Sequence, residues 1–288
     1  MLLLLSLACG ATPVPDAASS EPPPGARLHA PGRVVAMGDI HGDVAAARDV
    51  LALTGLVDTA GAWIGGDAWL VQTGDIVDRG PDSKGAISLL ERLERESAAA
   101  GGRVIVLDGN HEVMNLLGDW RYVSPEDLAG YGGEAARTAA WAPEGHDGAW
   151  TLGHDIVAQV DGTIFAHGGV DAHWATFGVR GLNALAGAAM RKQGPPEVLG
   201  SDGPLWNRTF LLEDPVTACP QLAKALLALG ADRMVVGHTT QEEGTVARRC
   251  NGHLYGIDTG LSAHYGRHLA AVEIIGQSVR PIYPPSSP

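Results

Sequence analysis

The sequence predicts an α/β domain built around a parallel sheet. Three features carry that reading. Short apolar, β-branched runs recur along the chain, helical segments separate the first of them, and each run stops at a polar cluster of Gly, Asp, Asn or His. Alternation of strand, helix and strand implies parallel pairing through right-handed crossovers.

The first run, Arg33 to Met37, stops at Gly38-Asp39, as a buried strand does. Asp43 can cap a helix that carries Ala47, Val50, Leu51 and Thr54 on one face and Gly55 at its end. Ala68 to Gln72 is the second strand and ends at Gly74-Asp75. Ser83 opens a helix with Ala86, Leu90 and Leu93 inward and Glu91, Arg92, Glu94 and Arg95 outward, closed by Gly101-Gly102. Arg103 to Leu107 is the third strand and ends at Asp108-Gly109-Asn110. Residues 119–155 have helical composition, and Trp120, Tyr122, Tyr131, Trp141 and Trp150 suit the packing of an inserted cap. Ile156 to Phe165 reads as strand, turn at Asp161-Gly162, and strand, ending at His167. Arg233 to Val236 precedes Gly237-His238. Leu254–Ile257, Leu269–Ile275 and Val279–Ile282 are expected to form a second, largely antiparallel sheet.

Composition narrows the function classes. Acidic side chains number 33 against 20 basic ones, a net charge of −13, which argues against nucleic acid as a partner because phosphate backbones are held mainly by Lys and Arg. No internal stretch approaches the roughly 18 apolar residues of a membrane-spanning helix. At the amino terminus, the apolar run Leu2–Ala8 followed by Cys9-Gly10 has the form of a bacterial lipoprotein signal, with Cys9 as the lipidated residue. Residues 1–9 therefore read as a signal remnant, residues 10–32 as a Pro/Ala/Ser-rich tether, and 33–288 as the domain. The expected location is the cell envelope, as a lipoprotein or periplasmic protein, with the cytoplasm as the alternative and a lipid anchor as the only membrane contact. Cys219 and Cys250 either pair in an oxidising compartment or remain buried thiols. The sequence has no Cys-x-x-Cys pair to make a thiolate zinc site.

The polar clusters at the strand ends hold the chemistry. They supply Asp39 and His41 in GDIHGD, Asp75 in GDIVDRG, Asn110 and His111 in GNHE, His167 in AHGG and His238 in GHTT. Singly, a strand-end Asp caps a helix and a lone His is a core residue. Together, carboxylates, an amide oxygen and imidazoles at converging strand ends are ligands for divalent first-row metals.

These blocks resemble the phosphoprotein phosphatase superfamily of dinuclear metallophosphoesterases over nearly all of the chain after the tether. GNHEVMNLLGDWRYV and GPLWNR further resemble its bacterial, Shewanella-like branch. The resemblance implies a calcineurin-like sandwich of two mixed β-sheets flanked by helices, with a helical insertion. It implies two divalent cations, manganese being expected and iron or zinc the alternatives. Asp39, His41 and Asp75 would bind the first, and Asp75, Asn110, His167 and His238 the second, with Asp75 shared. A hydroxide between the two cations would attack a phosphorylated protein substrate directly. In the same comparison His111 is the general acid, Asp78 orients it, and Arg79 holds phosphate, with Arg208 and Tyr265 as further substrate-binding candidates and Glu112 as a supporting residue. Ser262-Ala263-His264-Tyr265-Gly266 stands where the eukaryotic enzymes have Ser-Ala-Pro-Asn-Tyr-Cys, so no eukaryotic-type regulatory subunit is implied. Two other readings are a dinucleoside-polyphosphate hydrolase, which shares the metal pattern, and an inactive phosphate-binding surface module; all six ligand positions are filled, against the latter.

Overall fold

The computed structural model describes residues 27–285. The signal remnant, Cys9 and most of the tether lie outside the described residues.

Strand β1 (Arg27–Leu28) precedes a βαβαβ run of β2 (Val34–Met37), α1 (Val44–Leu53), β3 (Trp69–Gln72), α2 (Ser83–Ala99) and β4 (Arg103–Val106). Four helices follow: α3 (Asn110–Leu116), α4 (Pro125–Tyr131), α5 (Glu134–Trp141) and α6 (His146–Thr151). The hairpin β5 (Val157–Val160) and β6 (Thr163–Ala166) leads into α7 (Ala172–Ala175), α8 (Gly178–Met190), α9 (Thr209–Leu212) and α10 (Pro215–Leu229). The chain closes with β7 (Arg233–Val236), β8 (Ala247–Arg249), β9 (Leu254–Gly256), β10 (Ala271–Ile275) and β11 (Ser278–Ile282).

Two mixed sheets stack face to face, one in the order β11-β10-β2-β3-β4 and the other β1-β5-β6-β7-β9-β8. Strand β2 shows why. Val34 and Ala36 pack with Val71, Phe165, Val235 and Tyr255 between the sheets. Val35 and Met37 point the other way, into a cluster with Ala47, Leu51, Leu90 and Leu93 of α1 and α2. Helices α8 and α10 cover the outer face of the second sheet through Leu182, Ala186, Leu222 and Leu226. Strands buried on both faces read as unbroken apolar runs, which is how β2, β3 and β7 appear in the sequence. Asp43 and Asp82 cap α1 and α2 by accepting from Ala46 and Gly85 amides.

Two expectations need correction. The carboxyl-terminal strands do not form one antiparallel sheet. β9 pairs parallel with β7 in the second sheet, whereas β10 pairs antiparallel with β2 and completes the first. A strand's apolar pattern fixes which face it buries but not which open edge it joins. The fold also starts before Arg33. Arg27 and Leu28 pair with Gln159 and Val160, and Arg27 Nη2 donates to the carbonyls of Leu229 and Gly230. Backbone pairing at an edge leaves no hydrophobic pattern to read. Among the described residues, no helix is long and apolar enough to cross a membrane.

Cys219 in α10 is joined to Cys250, which follows β8, so the bridge ties the helical layer to the edge of the second sheet. It closes a loop of 31 residues, which the chain-entropy account values at about 3–4 kcal/mol. The double substitution Cys219→Ser/Cys250→Ser is expected to lower unfolding free energy by about that amount in a denaturant titration. A reductant should shift the native chain's midpoint and leave the variant's unmoved; equal midpoints for both chains would contradict the bridge.

Candidate functional site

Asp39 and His41 follow β2, Asp75 follows β3, Asn110 opens α3 just past β4, His167 follows β6 and His238 follows β7. The structure brings all six together across the two sheets, and none is more than 5% exposed.

His167 sits at the centre. A carbonyl can only accept, so its contact with Thr73 O at 2.9 Å places a proton on Nδ1 and turns Nε2 toward the cluster. Nε2 faces Asn110 Oδ1 at 2.9 Å, His238 Nδ1 at 3.1 Å and Asp75 Oδ1 at 3.2 Å. The Asn110 amide is turned by Nδ2 resting on Met114 Sδ, which leaves its oxygen toward the site. His41 repeats the pattern, with Nδ1 donating to Val77 O and Nε2 facing Asp75 Oδ2 at 3.7 Å and Asp39 Oδ2 at 4.0 Å. Burial lowers the His41 pKa to about 3, against the pull of Asp75, so the ring is neutral near pH 7. Burial and neighbouring His167 lower His238 as well, and its Nε2 has no partner among the described residues.

The carboxylates diverge. Burial works to raise Asp75, but the imidazoles of His167, His111 and His41 hold it well below the usual range. Asp39 is pushed well above that range by burial and by the carboxylates of Asp258 and Asp75. Carboxylate, amide and imidazole donor atoms converging from several loops are a ligand set suited to divalent cations. The residues fit two. Donor atoms of Asp75, His167 and His238 gather within 4.8 Å, as do those of His41, Asp75 and His111, so Asp75 belongs to both groups.

The loop from Asp75 to Arg79 is the most constrained segment of the site. Asp75, Asp78 and Arg79 have φ of 54°, 69° and 67°, the left-handed region that non-glycine residues avoid. Buried Glu112 holds it there: its carboxylate accepts from the amides of Asp75, Ile76 and Val77, and from Gly109 at the start of its own helix. Glu112 is thus the clamp on Asp75, a firmer role than the sequence assigned it. Gly74 sits where an added Cβ would lie 2.5 Å from the Gly109 amide, so only glycine lets the two loops meet.

His111 Nδ1 donates to Asp78 Oδ2 at 2.7 Å and its Nε2 faces the cluster, 3.7 Å from Asp75 Oδ2. Burial works against a charged ring, yet Asp75 and the Asp78 bond more than offset it and raise the His111 pKa. Asp78 also accepts two bonds from Asn115 Nδ2, at 2.9 and 3.0 Å. Arg79 lies over the Tyr122 ring at 3.8 Å, its amide donates to Tyr122 O, and its Nε has no hydrogen-bond partner among the described residues. Tyr265 is half-buried with its ring 5.1 Å from that of His41. Arg208 is placed differently from the rest: its Nη1 donates to the His238 carbonyl at 2.6 Å, which braces a cluster residue directly.

Four contributors escaped the sequence reading. Asp258 is buried beside Asp39, and its signal was present, because Leu254–Ile257 ends in an acid as the other strands do. Asn115 lies one helical turn past His111, a spacing that also signals contact. Tyr122, expected to pack the cap, is the platform of Arg79. Arg137 of α5, fully buried, has no local signal at all.

The chain matches the calcineurin-like phosphoesterase family over residues 32–242. An uncharacterized Schizosaccharomyces pombe protein is 38% identical over 264 residues, covering 86% of this chain and 79% of its own. Shewanella-like protein phosphatase 2 of Arabidopsis thaliana is 30% identical, covering 82% and 73%. Among solved structures, the cold-active protein-tyrosine phosphatase of a psychrophilic Shewanella species superposes with a TM-score of 0.78 at 25% identity, over 88% of this chain and 78% of its own. A protein serine/threonine phosphatase from Saccharomyces cerevisiae, at 13% identity and a TM-score of 0.61 over 91% of this chain and 85% of its own, shares the fold. The chain belongs to the calcineurin-like phosphoesterase family, with Shewanella-like protein phosphatases as its homologues.

Proposed function

We propose that the chain is a two-metal phosphomonoesterase that hydrolyses phosphoproteins, acting on phosphotyrosine at least as well as on phosphoserine or phosphothreonine. The observation that carries this is the convergence of two groups of donor atoms on Asp75, with a hydrogen-bonded His111–Asp78 pair and Arg79, without a carboxylate partner among the described residues, beside it. The names of the Arabidopsis and Shewanella relatives support a protein substrate.

Asp39, His41 and Asp75 would hold one cation, and Asp75, Asn110, His167 and His238 the other. Two dications there supply Lewis acidity to a phosphate ester and make water a competent nucleophile near neutral pH. Arg79 offers a planar fork to two phosphate oxygens, and its stacking on Tyr122 fixes the plane of that fork. His111 keeps its Nδ1 proton on Asp78, so Nε2 is the atom that delivers a proton to the departing oxygen. The bond to Asp78 also favours the protonated ring over the lone pair a metal ligand needs, which supports acid over ligand for His111. An Asp78 so placed favours the monoesterase reading over dinucleoside-polyphosphate hydrolysis.

For the amino-terminal segment we infer export, with lipidation at Cys9. The Cys219–Cys250 bond supports this, since disulfides persist in oxidising compartments. Mass spectrometry of the membrane fraction should find an acylated Cys9 as the new amino terminus; a soluble cytoplasmic chain retaining Met1 would contradict it.

Metal content tests the shared carboxylate. Asp75→Asn is expected to deplete both cations, Asp39→Asn mainly the first and His238→Ala mainly the second. Retention of one full equivalent in Asp75→Asn would exclude sharing. Leaving-group chemistry tests the acid. A tyrosyl phenolate, with a pKa of about 10, departs with little protonation, whereas a seryl alkoxide needs the proton. His111→Asn should therefore cost turnover of a phosphoserine peptide about 10²–10⁴-fold and that of an aryl phosphate far less. Equal losses on both substrates would make His111 a binding residue.

A further inference from the structure

We propose that Arg137, carried by the helical insertion, is a positioning residue for proton transfer: it fixes the Asn115 amide and the Asp78 carboxylate so that His111 keeps its ring aimed at the leaving oxygen. The inference rests on the acid role of His111 proposed above.

The Arg137 side chain is fully buried, 59 residues along the chain from Asp78. A buried guanidinium is costly unless its donors are matched, and here its two Nη groups, though not Nε, meet the acid's own support. Nη1 donates to Asp127 Oδ2 at 2.5 Å. Nη2 donates to Asn115 Oδ1 at 2.7 Å and reaches Asp78 Oδ1 at 3.4 Å. The guanidinium also lies 4.5 Å from the centre of the Tyr131 ring, whose hydroxyl is tied to Asp147.

The bond to Asn115 decides the matter. An amide has one donor end and one acceptor end, and turning it over exchanges them. Arg137 can only donate, so it claims Asn115 Oδ1 and leaves Nδ2 for both oxygens of Asp78 and the carbonyl of His111. Arg137 thereby pins the acceptor end of the amide, and a turned amide would set its oxygen against the Asp78 carboxylate, the acceptor of the His111 Nδ1 proton. The other end of the fork is anchored to the same loop. Asp127 accepts from the amide and hydroxyl of Ser83, and Ser83 Oγ in turn accepts from the Asp78 amide. The insertion thus grips Asp78 from its carboxylate and from its backbone.

The test compares Arg137→Met with Arg137→Lys on a phosphoserine peptide and on an aryl phosphate, in the metal-loaded protein. Partners behind a functional side chain are typically worth about 10–100-fold. Arg137→Met is expected to lose at least tenfold more kcat on the phosphoserine peptide than on the aryl phosphate, with KM little changed for either. Arg137→Lys keeps the charge but cannot bridge Asn115 and Asp127 together, so it should show the same selectivity and serves if Arg137→Met fails to fold. In a His111→Asn background, Arg137→Met should add no further selectivity, since both changes act on one proton transfer. Equal losses on the two substrates, or additive selectivity in the double variant, would overturn the inference. If His111→Asn alone shows no selectivity, the acid role itself fails; if it does and neither Arg137 variant does, only the positioning role fails.

Discussion

The site depends on one buried carboxylate held where a carboxylate is hardest to keep. Asp75 is 2% exposed, in a left-handed backbone conformation, with imidazoles of His41, His111 and His167 around it. Burial alone would neutralise such a group. Its charge survives because the surrounding rings favour it and because Glu112 fixes its backbone through three consecutive amides. Left-handed geometry at Asp75, Asp78 and Arg79 costs on the order of 1–3 kcal/mol each, and a carboxylate accepting three amides is the kind of local gain that sustains it. His41 and His238 share that backbone geometry, so five of the ten non-glycine residues with positive φ among the described residues lie in the candidate site.

Glycines let these strained loops approach each other. At Gly38 an added Cβ would stand 2.4 Å from the Ile257 carbonyl, a contact between the end of β2 in one sheet and the residue after β9 in the other. The Gly-Asp pairs at the strand ends therefore have two separate physical reasons. The Asp carries the charge, and the Gly before it removes an atom that would keep neighbouring loops apart, across the two sheets at Gly38 and within the first sheet at Gly74.

Much of this was legible because it is local. A strand that stops at Gly-Asp states its own boundary, and the cluster residues lie one to four positions past such boundaries. What was not legible is what one part of the chain does to a distant part. β10 reads as a strand, but only tertiary packing shows that it joins β2. The two residues of β1 pair through backbone, with no side-chain pattern to announce them. The Cys219–Cys250 pairing stayed open because spacing does not report Cβ separation. Arg137 was the hardest case: an Arg in a helix is normally a solvent-facing residue, and nothing near it reveals a carboxylate and an amide waiting inside.

The cluster draws from both layers of the sandwich. Asp39, His41, Asp75 and Asn110 come from the first sheet, and His167 and His238 from the second. A cation shared among them would be a rivet through the seam, its affinity adding to cohesion between the sheets. Deeper between the sheets Val71, Phe165 and Val235 adhere without help. The sandwich is thus fastened along its apolar interior by side chains alone, and a cation bound at its mouth would add a fastening that varies with the metal in the surroundings.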